Sequence, residues 1–108
     1  MIDFDYIEQT IIPRLNGGEG ETKARMFRDE KVKIMLSTLG KGCSIGNHIH
    51  KTSSEIIYVI EGEAKCVLDG KEEIVRAGQC HYCPKGACHS LRNDSEEILV
   101  MFDVVSEQ

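Results

Sequence analysis

No stretch of this 108-residue chain approaches the roughly 20 consecutive apolar residues that a membrane-spanning helix requires. Positive charge is also scarce. Thirteen Lys and Arg against 18 Asp and Glu leave a formal net charge of −5, whereas a general phosphate-backbone binder carries a basic face. Neither a membrane nor a nucleic acid is therefore an expected partner. The chain has no internal repeat, low-complexity tract or interdomain linker, and its length allows one modest core. A single domain spanning residues 1–108 is the expectation. The opening Met1-Ile2-Asp3-Phe4-Asp5 is acidic where a secretory signal would be basic, which makes the cytoplasm the expected location. Five cysteines, an odd number, argue for free thiols over a disulfide framework. The glycine-rich Asn16-Gly17-Gly18-Glu19-Gly20 lacks the following lysine and helix of a phosphate cradle and is read as a turn.

What is present is ordinary for a globular protein, with 41% hydrophobic and 29% charged residues. Ile7, Ile11, Ile12 and Leu15 have the spacing of one helical side, which Pro13 would distort, so a short N-terminal helix or extension is expected. From Lys23 onward the pattern is of short strands. Val32, Ile34, Leu36 and Thr38 alternate with Lys33, Met35 and Ser37. Glu55 to Glu61 is rich in isoleucine, valine and tyrosine. Asp69-Gly70 marks a hairpin between Ala64–Leu68 and Glu72–Arg76. Strands over 79–83, 89–92 and 98–105 follow. Turn signals every eight to twelve residues or so predict an all-β antiparallel barrel or sandwich.

Chemistry concentrates in His48, His50, Glu55 and His89. Side chains alternate along a strand, so His48 and His50 point the same way. His50 and Glu55 would oppose each other in a continuous strand. A bend in the polar Lys51-Thr52-Ser53-Ser54 would restore the phase. Glu55 opens an otherwise apolar strand, and turned inward it needs a positive partner. A divalent transition metal (iron, manganese, zinc, nickel or copper) is the simplest one, because three neutral imidazoles and a carboxylate form a ligand set that such ions accept. Three of only four histidines fall into this arrangement.

Two spacings carry a family resemblance. Gly42, five residues, His48-Ile49-His50, four residues, Glu55, six residues, Gly62 is the first. Gly78, five residues, Pro84-Lys85-Gly86, two residues, His89, three residues, Asn93 is the second. Together these segments (42–62 and 78–93) resemble the two cupin motifs at every fixed position. The resemblance implies a small cupin-type β-barrel or jelly roll, with His48, His50, Glu55 and His89 as metal ligands near its middle. It also implies a homodimer, because cupins often exchange N-terminal strands. Cupins of this type include dioxygenases, decarboxylases, isomerases and lyases, along with proteins that only bind or sense a small ligand. The expected substrate of an enzyme of this kind is a small oxygen-rich or anionic metabolite. A non-catalytic binding or sensing module is the alternative.

Other residues are candidates for the pocket. Cys80-His81-Tyr82-Cys83 with Cys88-His89 has the look of a thiolate zinc site. Against this, residues three apart on a strand diverge, and His81-Tyr82 holds no turn-former. Either Cys80 with Tyr82 or His81 with Cys83 must face inward. His81, the one histidine outside the ligand set, is the candidate for catalytic proton transfer if it faces inward. Tyr58, Tyr82, Met101 and Phe102 are candidate pocket walls, and Arg25, Arg28 and Arg76 are candidate anion contacts. The motifs place no further acid or base.

Overall fold

The computed structural model describes residues 1–108 and is almost entirely antiparallel β-structure. Ten strands are arranged in two sheets. The larger sheet contains β1 (Thr10–Pro13), β2 (Glu21–Arg28), β3 (Val32–Leu39), β10 (Leu99–Glu107), β5 (Ser53–Glu61) and β8 (Cys80–Cys83), in that spatial order. The smaller contains β4 (Ser44–Ile49), β9 (Cys88–Arg92), β6 (Glu63–Leu68) and β7 (Lys71–Arg76). This is the expected jelly-roll arrangement. Asp69-Gly70 forms the tight hairpin between β6 and β7, with positive φ at both residues.

The N-terminal region is an extension and not a helix over 7–15. Phe4–Tyr6 forms a single 3-10 turn, and Thr10–Pro13 pairs with β2 as an edge strand. The isoleucine spacing fits a helix, but Ile11 and Ile12 are β-branched, and Pro13 is tolerated at the end of an edge strand where its missing N–H costs nothing. Phe4 packs edge-on against Phe102, with ring centroids 6.3 Å apart. The Arg25 guanidinium donates to the Ile7 and Phe4 carbonyls. That arginine anchors the extension and is not free to greet a ligand.

The apolar cluster occupies one end of the sandwich. Leu39, Val59, Ala64, Cys66, Leu99 and Met101 are fully buried, and Ile57 and Leu91 nearly so. Each large side chain of this kind stabilises the fold by about 1.5–3 kcal/mol relative to an exposed position. Several strands then change chemistry within a single pleat repeat. On β5 the inward face runs Val59, Ile57, Glu55. On β9 it runs Leu91, His89. On β10 it runs Leu99, Met101, Asp103. The apolar end fixes the strands, and their polar ends converge at the other end.

Two motif residues show why they are needed. A Cβ on Gly62 would lie 2.6 Å from the Ile98 carbonyl, at φ +84°, so only glycine fits the β5–β6 turn. Asn93 is completely buried. Its amide donates to the Leu39 and Glu97 carbonyls at 2.9 and 2.8 Å, and its side-chain oxygen accepts from the Ser95 amide. It ties β3, the β9–β10 loop and the second motif together.

Candidate metal centre

The four candidate ligands come from both sheets. His48 on β4 sits directly opposite His89 on β9, so their rings share the inner face of the small sheet. Pairing slips between Ile45 and His48, the signature of a bulge at Gly46-Asn47. The loop from β1 presses onto this bulge: a Cβ at Gly46 would lie 2.0 Å from the Asn16 carbonyl. His50 lies just past β4. A two-way backbone bridge holds it there, with its N–H donating to the Ala87 carbonyl and its own carbonyl accepting from Gly86. Lys51-Thr52 supplies the bend that the residue spacing required. β5 then begins at Ser53 with Glu55 facing inward from the large sheet.

These four side chains meet. The Nε2 atoms of His48, His50 and His89 are 3.0–3.2 Å from one another. Glu55 Oε1 is 3.0 Å from both His50 Nε2 and His89 Nε2. All four donor atoms fall within 4.8 Å. Ligands about 2.1 Å from a common ion at right angles would stand about 3 Å apart, which these separations match.

The outer nitrogens decide what the inner ones offer. His48 Nδ1 lies 2.8 Å from the Gly46 carbonyl, which can only accept, so Nδ1 carries the proton. Burial pushes His48 below its ordinary value, and its hydrogen bond to Gly46 only partly opposes this, so the neutral ring is favoured. His89 Nδ1 lies 3.0 Å from His81 Nε2, and His81 Nδ1 lies 2.6 Å from Glu73 Oε1. A carboxylate only accepts, so His81 donates from Nδ1; in the neutral ring its Nε2 then accepts from His89, and His89 Nε2 is left bare. His50 Nδ1 has the Ser53 hydroxyl at 3.1 Å. The centre therefore presents imidazole lone pairs and a carboxylate oxygen to one another at contact distance. Acceptors so arranged repel unless a cation lies between them, and this donor set fits a divalent transition metal. Burial would raise Glu55. Hydrogen bonds and positive charge from His50 and His89 would lower it, and with those rings neutral a cation held between them supplies that charge instead.

A cavity of about 310 Å³ opens beside the cluster. It is lined by His48, His50, Glu55 and His89 together with Met26 and Met35. Of the three candidate arginines, Arg28 alone lines it; Arg76 instead pairs with Glu63 at 3.2 Å. None of the four aromatic or methionine candidates forms a wall: Tyr58 and Tyr82 point outward, Met101 is core, and Phe102 packs on Phe4.

His81 with Cys83 is the inward pair, and Cys80 with Tyr82 is exposed. Cys80 and Cys83 thus lie on opposite faces, which removes the zinc-knuckle alternative, and all five thiols are free. Cys83 fills core volume without lining the cavity. Burial, then the Glu55 charge, pushes its thiol up to about 11. His81 meets the condition of facing inward but does not line the cavity. It lies edge to edge behind His89, with ring centroids 5.2 Å apart and the rings 9° from parallel, and touches the centre only through that ring.

Asp103 is the residue that the motifs did not place. It is 3% exposed and lines the same cavity. Its Oδ2 accepts from Ser37 Oγ at 2.9 Å, while its Oδ1 has no partner. The signal was present in the alternation Leu99, Met101, Asp103, Val105, where one acid interrupts an apolar face.

Residues 35–105 match the family model described as "Cupin domain". The chain belongs to the cupin family. It is 29% identical over 107 residues to the oxalate-binding protein of Thermotoga maritima, covering 87% of this chain and 83% of that one. It is 35% identical over 63 residues to quercetin 2,3-dioxygenase of Bacillus subtilis, covering 58% of this chain but only 19% of the dioxygenase. Among solved structures, a predicted oxalate decarboxylase from T. maritima superimposes with a TM-score of 0.93 at 24% identity, over 100% of this cupin and 99% of that chain. A cupin domain from Schizosaccharomyces pombe does so with a TM-score of 0.82 at 10% identity, over 100% of this chain and 74% of that one. At such identities the two structures speak for the fold alone.

Proposed function

We propose that this cupin is a metal-dependent enzyme acting on a small oxygen-rich or anionic metabolite, with small carboxylates such as oxalate as the first class to test. His48, His50, Glu55 and His89 hold one divalent transition metal. The observation that carries this reading is the convergence of imidazole lone pairs on a carboxylate, with the outer nitrogens of His48 and His89 already committed as donors. A bound ion of this kind supplies Lewis-acid polarisation or redox chemistry. The chain's own residues do the rest. Glu73 and His81 keep the proton on His89 Nδ1, Ser53 steadies His50, and Met26, Met35 and Ile57 give the cavity apolar walls. His81 serves as a positioning group, since it has no face on the cavity. The name of the T. maritima relative supports oxalate as the first ligand.

That same name favours the second reading, a module that binds or senses without turnover. Two measurements separate them. Elemental analysis of the purified protein is expected to give about one transition-metal ion per chain. Incubation of the metal-loaded protein with oxalate and 2-oxo acids, with and without air, is expected to consume one of them. Absence of metal refutes the proposal. Metal with tight ligand retention and no consumption supports the binding module instead.

A cytoplasmic location goes with this function, since the five free thiols would stay reduced there. A homodimer goes with it too. Ile56, Tyr58, Ile60 and Tyr82 form an exposed apolar patch on the outer face of β5 and β8, suited to a second copy.

A further inference from the structure

Asp103 stands out among the buried groups because nothing in the fold explains it. Its neighbours on the inward face of β10, Leu99 and Met101, are core residues with no exposure. A carboxyl here is costly to bury, and leaving one of its oxygens without a partner adds to that cost. Ser37 satisfies Oδ2 only. Thr22, whose hydroxyl is the other buried side-chain atom without a partner, lines the same cavity. Such unmet polar groups on a cavity wall beside a metal centre are what a ligand would satisfy.

We propose that Asp103 is a ligand-contacting residue of this centre: its carboxyl donates a hydrogen bond from Oδ1 to an oxygen of a small carboxylate whose other oxygens reach the metal. This rests on the function proposed above and narrows its ligand class. Burial, and then the negative charge of Glu55, pushes Asp103 up to about 8, against the smaller opposing effects of Ser37 and Lys33. The geometry points the same way: the carboxyl is 3% exposed and no Lys, Arg or His pairs with it, so the neutral acid is the form this pocket favours. Because Oδ2 already accepts from Ser37, the acid proton belongs on Oδ1, which makes a donor with nothing to receive it. A donor in that place selects an acceptor such as a carboxylate or carbonyl oxygen, and disfavours an amine. Ligands with oxygens at both ends, such as dicarboxylates and 2-oxo acids, satisfy the metal and Asp103 together. A single-carboxylate anion satisfies only one of them.

The test uses the full chain loaded with the metal that elemental analysis identifies, and titrates oxalate and acetate by calorimetry. Asp103→Asn keeps the volume and an N–H donor. Asp103→Leu removes the donor. Thermal melts confirm that each variant is folded. The expectation is that D103L weakens oxalate binding by about tenfold or more, D103N by no more than about threefold, and that acetate and metal affinity change in neither. Oxalate binding by D103L equal to that of the wild type would overturn the inference while leaving the metal centre intact. An equal loss in D103N and D103L would overturn the donor role. A wild-type protein that binds metal but no carboxylate would overturn the proposed ligand class and this inference with it.

Discussion

Replacing Asp103 with asparagine should make the metal-free protein markedly less sensitive to rising pH. The ordinary value for the carboxyl is 3.8, and in the folded chain it is pushed up to about 8. Between these two values the folded protein keeps a proton that the unfolded chain has released. Stability therefore falls as pH rises through the window, by about 1.4 kcal/mol per unit from this group alone. Below about pH 4 both states are protonated and the penalty is absent. Above about pH 8 it is complete, at roughly 5–6 kcal/mol, a large share of what a domain of this size has in total. Glu55 has an ordinary value of 4.5 and is lowered in the folded chain, so its own contribution lies at the foot of this window, has the opposite sign, and is common to the two proteins being compared. The assay is urea unfolding followed by far-ultraviolet circular dichroism, from pH 5 to 8.5, after dialysis against a chelator. The stability of D103N minus that of the wild type should climb steadily with pH. Parallel profiles for the two proteins would refute the argument.

His50→Ala should abolish stoichiometric metal by elemental analysis. It should also remove the metal-dependent rise in melting temperature, which in the wild type corresponds to about 2.7 kcal/mol at a hundredfold excess over Kd. His81→Phe keeps an aromatic ring beside His89 but removes its acceptor; competition with a metal indicator should show affinity lowered about 10- to 100-fold. Tyr58→Glu places a charge in the outer apolar patch, and sedimentation velocity should show a dimeric wild type and a monomeric variant.

The convergence of His48, His50, Glu55 and His89 was legible in the sequence because strand geometry translates spacing into direction. His48 and His50 needed only the two-residue pleat, and Glu55 needed one bend, which Lys51-Thr52 provides. What stayed hidden depended on partners distant in the chain. Whether His81 or Cys80 faced inward could not be read from β8 itself; pairing of His81 with the core residue Ile57 on β5 settles it. The N-terminal isoleucines satisfy a helical spacing and a strand equally, and the edge of β2 decides between them. Asp103 lies outside both motifs, and only the packing of β10 between β3 and β5 shows that its carboxyl is buried.

All four imidazoles of the protein are wired into a single connected unit, through contacts of 3.0–3.2 Å. The molecule thus carries a built-in label. Four sets of ring signals in a nitrogen-15 spectrum would report on one place and nothing else, with no background from surface histidines. Occupancy, tautomer exchange and ligand arrival could each be followed there without adding a probe or changing a residue.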